Sequence, residues 1–109
     1  MWLNEKNYKE LLKGITVVEV SGESCANCIS LMPVLNSIMS QRNDAVLHHI
    51  EASEDTVEFM ERFNIETVPT ILIMYNDEVF ARCRGYQPEE ILELWLDAKI
   101  DELKNKFGL

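Results

Sequence analysis

The sequence lacks long apolar runs and is poor in positive charge. No stretch approaches the roughly 20 apolar residues that a membrane-spanning helix needs, and the N-terminal segment has no secretory apolar core. Ten Lys and Arg residues stand against nineteen Asp and Glu, a formal net charge of −9. This balance argues against nucleic acid and anionic membranes as partners, because both attract basic proteins. We therefore expect a cytoplasmic protein.

Cysteine, proline and glycine are few. Three cysteines, an odd number, exclude a framework of paired disulfides. Three prolines and four glycines, without repeats or low-complexity stretches, leave no candidate linker. A chain of 109 residues is long enough for one hydrophobic core but not for two. We predict one domain over residues 1–109, acting as a monomer.

Hydrophobic periodicity predicts the element order α-β-α-β-α-β-β-α. The predicted strands cover residues 15–20, 45–50, 70–75 and 79–84, with long helices over 25–40 and from Pro88 onwards. Between the second and third strands, a helix capped by Ser53 is expected to bury Val57, Met60 and Phe63. Two parallel crossovers, followed by a hairpin at Asn76-Asp77, then give a three-layer α/β/α sandwich around a mixed sheet.

Cys25 and Cys28 stand three residues apart, where the first predicted strand gives way to a helix. At a helix N-terminus this spacing places both thiols on one face, close enough for a disulfide. The helix dipole and the unpaired backbone N–H groups stabilise a thiolate at the first cysteine. A C-x-x-C pair after a strand in such a pattern indicates a redox dithiol. A structural or metal-binding pair is the alternative, although a zinc site would lack its second pair of ligands.

Further positions along the chain carry a resemblance to the thioredoxin family. Pro33 after the cysteine pair, the segment Val68-Pro69-Thr70 and then Gly85 all stand at the spacings that this family shows. The resemblance covers essentially the whole chain. It implies the α/β thioredoxin-like fold, with a four-stranded mixed sheet, or a five-stranded one if Trp2-Leu3 adds a strand.

The resemblance also implies a function, that of a thiol–disulfide oxidoreductase reducing disulfide-containing proteins. Cys25 would attack, and the more buried Cys28 would resolve the mixed disulfide. No cofactor is implied, because the cysteine pair carries the electrons and a thioredoxin-reductase-type or other dithiol donor returns them. Pro69 would take the family's cis conformation beside the dithiol. The residues expected to line the substrate surface are Ala26, Asn27, Val68, Arg84, Gly85 and Tyr86.

Some positions depart from the family's pattern. Ser24 stands where the family usually has Trp before the first cysteine, and Glu19 replaces the Asp on the preceding strand. Because burial disfavours the charged form of a carboxyl group, Glu19 is the candidate base for Cys28. Alternatively, Glu19 reaches an edge of the sheet or pairs with a cation. The Lys that often lies near this acid in the family would fall at Ile50.

Other interpretations stay open at this point. The loss of Trp and of Gly-Pro in the C-x-x-C segment, with the charge of −9, fits a redox-inert or redox-sensing interaction module on the same fold. The intact cysteine pair argues against this interpretation. Cys83 is either a core residue or a regulatory thiol near the active site, and Arg84 either favours acidic partners or is simply solvated. We expect Trp2 and Trp95 to lie away from the cysteines.

Overall fold

The computed structural model describes all 109 residues, and its elements follow the predicted order. The helices are α1 (Tyr8–Leu11), α2 (Ala26–Met39), α3 (Val57–Arg62) and α4 (Glu89–Phe107), and a 3-10 turn (Glu54–Thr56) precedes α3. The strands are β1 (Ile15–Gly22), β2 (Val46–Ala52), β3 (Thr70–Tyr75) and β4 (Glu78–Arg84). None of the helices has the length and apolar character to cross a membrane.

The four strands form one mixed sheet in the order β2-β1-β3-β4. Strand β1 pairs in parallel with β2 and antiparallel with β3, and β3 pairs antiparallel with β4. The mixed four-stranded sheet is confirmed, but the prediction of two parallel crossovers is wrong, because only β1-α2-β2 is one. The hydrophobic pattern of a single strand shows that the strand exists but not which way it runs. The fifth strand is reduced to one isolated bridge between Trp2 and His49.

A hydrophobic layer covers each face of the sheet. On one face, α2 and α4 pack against Val17, Ile71 and Ile73. On the other face, α1 and α3 pack against Val18, Leu72 and other apolar strand residues. Side chains of a strand alternate between faces. Residue 19, two positions after Val17, therefore points towards the α2 side of the sheet.

The inner face of α3 differs from the prediction. Phe63 is buried as expected, but Phe59 takes the central buried position and Val57 is 46% exposed. Ser53 does act as a cap, accepting a hydrogen bond from the Asp55 N–H at 3.1 Å. The first turn after this cap is 3-10, which has fewer residues per turn than an α-helix. The phase of the following helix is therefore shifted relative to a continuous α-helical pattern.

Ion pairs link the segment that follows α2 to α4. The Arg42 guanidinium contacts Asp44 at 2.9 Å and also pairs with Asp97, while Lys104 pairs with Asp44. The hydrogen bond from Arg42 is the main cause that holds the pKa of the Asp44 carboxyl well below its usual range. Together with the apolar contacts, these pairs fix the position of α2, whose first turn carries the cysteines.

Truncation of a buried α2 side chain tests this anchoring. Leu35 is fully buried, so we expect Leu35→Ala to lower the free energy of unfolding by about 2–5 kcal/mol, because it leaves a cavity between α2 and the sheet. Ile29 on the same helix is 72% exposed, and Ile29→Ala should cost less than about 0.5 kcal/mol. Urea unfolding followed by circular dichroism measures both values. Equal losses would show that α2 is not anchored by this face.

Candidate active site

The cysteine pair lies at the junction of β1 and α2. Cys25 and Cys28 form a disulfide with their Cα atoms 5.2 Å apart. Ser24 adopts a left-handed backbone (φ 56°) that turns the chain out of the strand. Cys25 is then the N-cap of α2, and its Sγ accepts a hydrogen bond from the Cys28 N–H at 3.2 Å. Cys25 is half-buried and Cys28 is 2% exposed, so the predicted difference in burial is confirmed.

The loop before β3 packs against the segment that leads into the cysteine pair. The Val68–Pro69 peptide bond is cis, as predicted. The Val68 side chain lies so close to Gly22 that a Cβ at position 22 would stand 2.8 Å from Val68 Cγ2. On the other side of the loop, the Gly85 N–H donates to the Pro69 carbonyl at 2.8 Å. Val68, Pro69 and Gly85 are thus brought together beside the end of β1.

The remaining residues of the predicted substrate surface are solvent-accessible. Ala26 and Asn27 are exposed in the first turn of α2, and Tyr86 is 41% exposed. Arg84 pairs with Thr70 across the β3–β4 hairpin, is exposed and forms no salt bridge. Neither Arg84 nor Tyr86 contributes to the cavity that opens beside the cysteines.

That cavity, of about 270 Å³, is formed by the two cysteines together with residues that the sequence analysis did not place on the substrate surface. Its lining consists of Trp2, Ser21, Gly22, Glu23, Ser24, Cys25, Cys28, Ile29, Met32 and Glu51. The presence of Trp2 contradicts the expectation that both tryptophans lie away from the cysteines. The N-terminal segment runs along β2, with the Leu3 N–H donating to the His49 carbonyl and the His49 N–H donating to the Met1 carbonyl. This pairing places Trp2 at the cavity.

Glu19 is completely buried in the central strand β1. Its Oε1 lies 2.9 Å from His49 Nδ1, and its Oε2 accepts a hydrogen bond from the Ser21 hydroxyl. Glu19 therefore pairs with an imidazole inside the sheet and does not reach an edge of it. The partner is His49, directly opposite Glu19 in the β1–β2 register, and not position 50, whose Ile lies in the layer under α1 and α3.

Two further titratable side chains, His48 and Cys83, lie away from Glu19 and His49. His48 is on the opposite face of β2 from His49, and its pKa is lowered, chiefly by burial. Cys83 packs against the core layer under α2 and α4, where burial raises the pKa of its thiol. This packing favours the core interpretation of Cys83. No group of three or more His, Cys, Asp or Glu side chains is arranged to hold a metal ion.

Comparisons of sequence show similarity to thioredoxins and to a larger protein. The thioredoxin of Listeria monocytogenes is 26% identical over 99 residues, which cover 91% of this chain and 88% of that protein. Thioredoxin domain-containing protein 6 of Xenopus laevis is 29% identical over 84 residues. That match covers 75% of this chain but 13% of the larger protein, so the chain corresponds to only a small part of it.

Comparisons of structure also show similarity to thioredoxins. Thioredoxin f from spinach chloroplast superimposes with a TM-score of 0.81 at 16% identity, covering 91% of each chain. Thioredoxin f2 of Chlamydomonas reinhardtii gives a TM-score of 0.77 at 18% identity, covering 86% of this chain and 91% of the other. These likenesses establish the shared fold.

The family itself follows from a third comparison. The thioredoxin family model matches residues 1–98, a range that includes the cysteine pair, the buried acid on β1 and the cis-proline loop. The general chemistry of such a C-x-x-C pair is thiol–disulfide exchange. Because the match runs through every element that surrounds the disulfide, the chain belongs to the thioredoxin family, and its cysteine pair supports thiol–disulfide oxidoreductase activity.

Proposed function

We propose that this protein is a disulfide reductase in which Cys25 attacks a substrate disulfide and Cys28 resolves the mixed disulfide. The proposal rests on the different environments of the two sulfur atoms. Cys25 Sγ sits at the N-terminus of a 14-residue helix and accepts the Cys28 N–H, whereas Cys28 is enclosed. Backbone N–H groups at a helix N-terminus favour a thiolate, and the thiolate is the attacking species.

The reaction runs in two exchanges. The Cys25 thiolate bonds to one sulfur of the substrate disulfide; the substrate S–S bond breaks, and the departing sulfur takes up a proton. The Cys28 thiol then loses its proton and bonds to Cys25 Sγ, which breaks the mixed disulfide and releases the second substrate thiol. Two electrons have passed to the substrate, and the protein holds the Cys25–Cys28 disulfide.

Substrate docking is assigned to the surface beside the cis-proline loop. Val68 and Tyr86 offer exposed apolar area, and the exposed residues Ala26 and Asn27 border the cysteines. Gly85, held to the Pro69 carbonyl, has a left-handed backbone (φ 82°) and no side chain to obstruct a substrate strand. At the edge of this surface, the guanidinium of Arg84 favours acidic substrates, because no carboxylate of this chain neutralises it.

The rest of the cycle follows from this assignment. The two electrons are carried by the protein's own sulfurs without a bound cofactor, and an external dithiol donor, of the thioredoxin-reductase type or another, restores the thiols. A reductase of this kind works in a reducing compartment such as the cytoplasm. We propose that it acts as a monomer on protein disulfides.

Glu19 is proposed as the group that takes the proton from Cys28 in the resolving step. An enclosed thiol resists deprotonation, because burial disfavours its charged form. Glu19 is on the α2 side of the sheet and is bonded to Ser21, which lines the same cavity as Cys28. A carboxylate connected to that cavity can accept the proton directly or through water.

Trapping experiments test the roles of the cysteines. We expect Cys25→Ser to abolish reduction of a peptide disulfide, because the attacking sulfur is lost. Cys28→Ser should accumulate a covalent mixed disulfide with the same peptide, seen as the added peptide mass under non-reducing conditions. Cys83→Ser is the matched control and should behave as the unmodified protein. Accumulation in Cys25→Ser instead of Cys28→Ser would reverse the assignment.

The direction of electron flow is tested by the equilibrium potential. For a reductase we expect a two-electron transition near the thioredoxin value of about −270 mV, measured by alkylation gel shift in graded dithiothreitol buffers. A value near about −120 mV, typical of a strong oxidant, would indicate an oxidase or isomerase instead. Absence of any two-electron transition would leave a redox-inert interaction module.

The proton-accepting role of Glu19 is tested by Glu19→Gln. This substitution keeps the shape of the side chain but removes its basicity, so resolution of the mixed disulfide should slow by at least about tenfold. Rapid acid quenching across roughly pH 6–9 measures the rate. Glu23→Gln is the control, because Glu23 lines the cavity but is exposed. Unchanged kinetics in Glu19→Gln would remove Glu19 from the mechanism.

A further inference from the structure

We propose that His49 is the group through which Glu19 exchanges its proton with solvent. Ser21, Glu19 and His49 then form one relay, which we call the proton relay, between the cavity beside Cys28 and the surface. The inference rests on the proposed function, in which Glu19 receives the proton that Cys28 loses. It goes further by assigning the path along which that proton leaves the protein.

Burial restricts the routes by which a proton can leave Glu19. The Glu19 side chain has no exposed surface, and both of its oxygens are bonded to other side chains. A proton that reaches this carboxyl group therefore cannot pass directly to bulk water. Of the two bonded partners, Ser21 faces the cavity shared with Cys28, and the His49 side chain keeps 10% of its surface exposed. The contacts thus connect the cysteine side to solvent through a single carboxyl group.

Imidazole chemistry suits the outer position of the proton relay. A neutral imidazole donates from one ring nitrogen and accepts at the other, so it can pass a proton on without moving away. When Cys28 Sγ bonds to Cys25 Sγ, its proton moves to the Glu19–His49 pair, directly or through Ser21 and cavity water. The charge of the pair rises by one, and the imidazole then releases a proton to solvent. No electron moves in these steps.

The surroundings of His49 contain few competing groups. Helix α2, which covers this face of the sheet, has no charged residue and contributes only the cysteines. The α-amino group of Met1 donates to the Leu47 carbonyl on the same strand. The other acids are Glu51 and Glu23, both exposed on the cavity wall, and His48 points to the opposite layer. Apart from Glu19, no titratable side chain is bonded to His49.

Trp2 provides an optical probe inside this arrangement. Its ring centroid lies 5.3 Å from that of His49, and its side chain lines the cavity with both cysteines. The other tryptophan, Trp95, packs against the core layer on α4. In a Trp95→Phe background, the emission of the single remaining indole reports on its imidazole neighbour and on the cysteine pair.

The first test uses the folded Trp95→Phe protein and titrates Trp2 emission with pH in the disulfide and dithiol forms. We expect a pH-dependent transition in Trp2 emission that differs between the two forms, because the indole contacts the imidazole that would take up and release the proton. It should vanish in His49→Gln and persist in His48→Gln, the matched control on the opposite face. A transition that is identical in the two redox forms would overturn the proton relay, even if His49→Gln fails to fold.

The second test measures the resolution rate as a function of pH. His49→Gln and Ser21→Ala should each slow resolution by about tenfold and flatten its pH profile, and Ser21→Thr, which restores a hydroxyl, should recover the rate. The first attack, measured in the Cys28→Ser background, should not change. A merely structural role would lower stability in urea without altering the pH profile.

The two hypotheses fail in distinguishable ways. If no mixed disulfide forms in Cys28→Ser, the proposed function is wrong. If the mixed disulfide forms and His49→Gln resolves it at the original rate and with the original pH profile, only the proton relay is wrong.

Discussion

The pairing of Glu19 with His49 inside the sheet is the contact on which the arrangement around the cysteines depends. A buried carboxylate without a partner costs several kcal/mol or more, so this acid can occupy the central strand only if the neighbouring strand supplies a partner. The parallel register of β1 and β2 supplies it, because it sets residue 49 opposite residue 19. Slipping this register by one residue towards Ile50 would place an apolar side chain there and leave the acid unpaired. The N-terminal segment then completes the enclosure, because it forms hydrogen bonds with both the backbone N–H and the backbone carbonyl of His49.

Helix α2 meets this buried pair with an uncharged surface. Its inner face is apolar and its first turn presents two sulfurs, so nothing in the helix competes with the contacts made by Glu19. In a region from which water is largely excluded, a hydrogen bond to a charged group is stronger than at the surface. In the proposed mechanism, the enclosure that makes Cys28 hard to deprotonate would also strengthen its coupling to Glu19 on the adjoining strand. Burial and proton transfer would then be two consequences of one packing arrangement.

Local sequence patterns predicted most of what depends on local structure, except for the inner face of α3, and the errors in topology concern what depends on strand pairing. The bounds of β3, the cap at Ser53 and the cysteine pair at a helix start follow from residue types and spacing. The direction of β3 and the partner of Glu19 depend on how separate strands align, which no single segment encodes. The Lys that often lies near this acid in the family falls at Ile50 in this sequence, whereas the partner that the strand register supplies is His49. The proximity of Ser21 to Glu19 could have been predicted from the sequence, because a residue two positions away on a strand lies on the same face of the sheet.

The cavity shows how the departures from the family's pattern act together. Ser21, Gly22 and Ser24 are small, so the loop before Cys25 leaves open space beside the disulfide. The large aromatic side chain at this place comes from Trp2, on the N-terminal segment, which contacts His49 as well as the cavity. An aromatic residue in the loop before Cys25 would move with the cysteines, whereas Trp2 is held by the hydrogen bonds of its neighbours Met1 and Leu3 to β2. The pairing of the N-terminal segment with β2 therefore covers His49. In the proposed relay, this pairing would govern the access of water to His49, and proton exchange would depend on the sheet edge as well as on the cysteine loop.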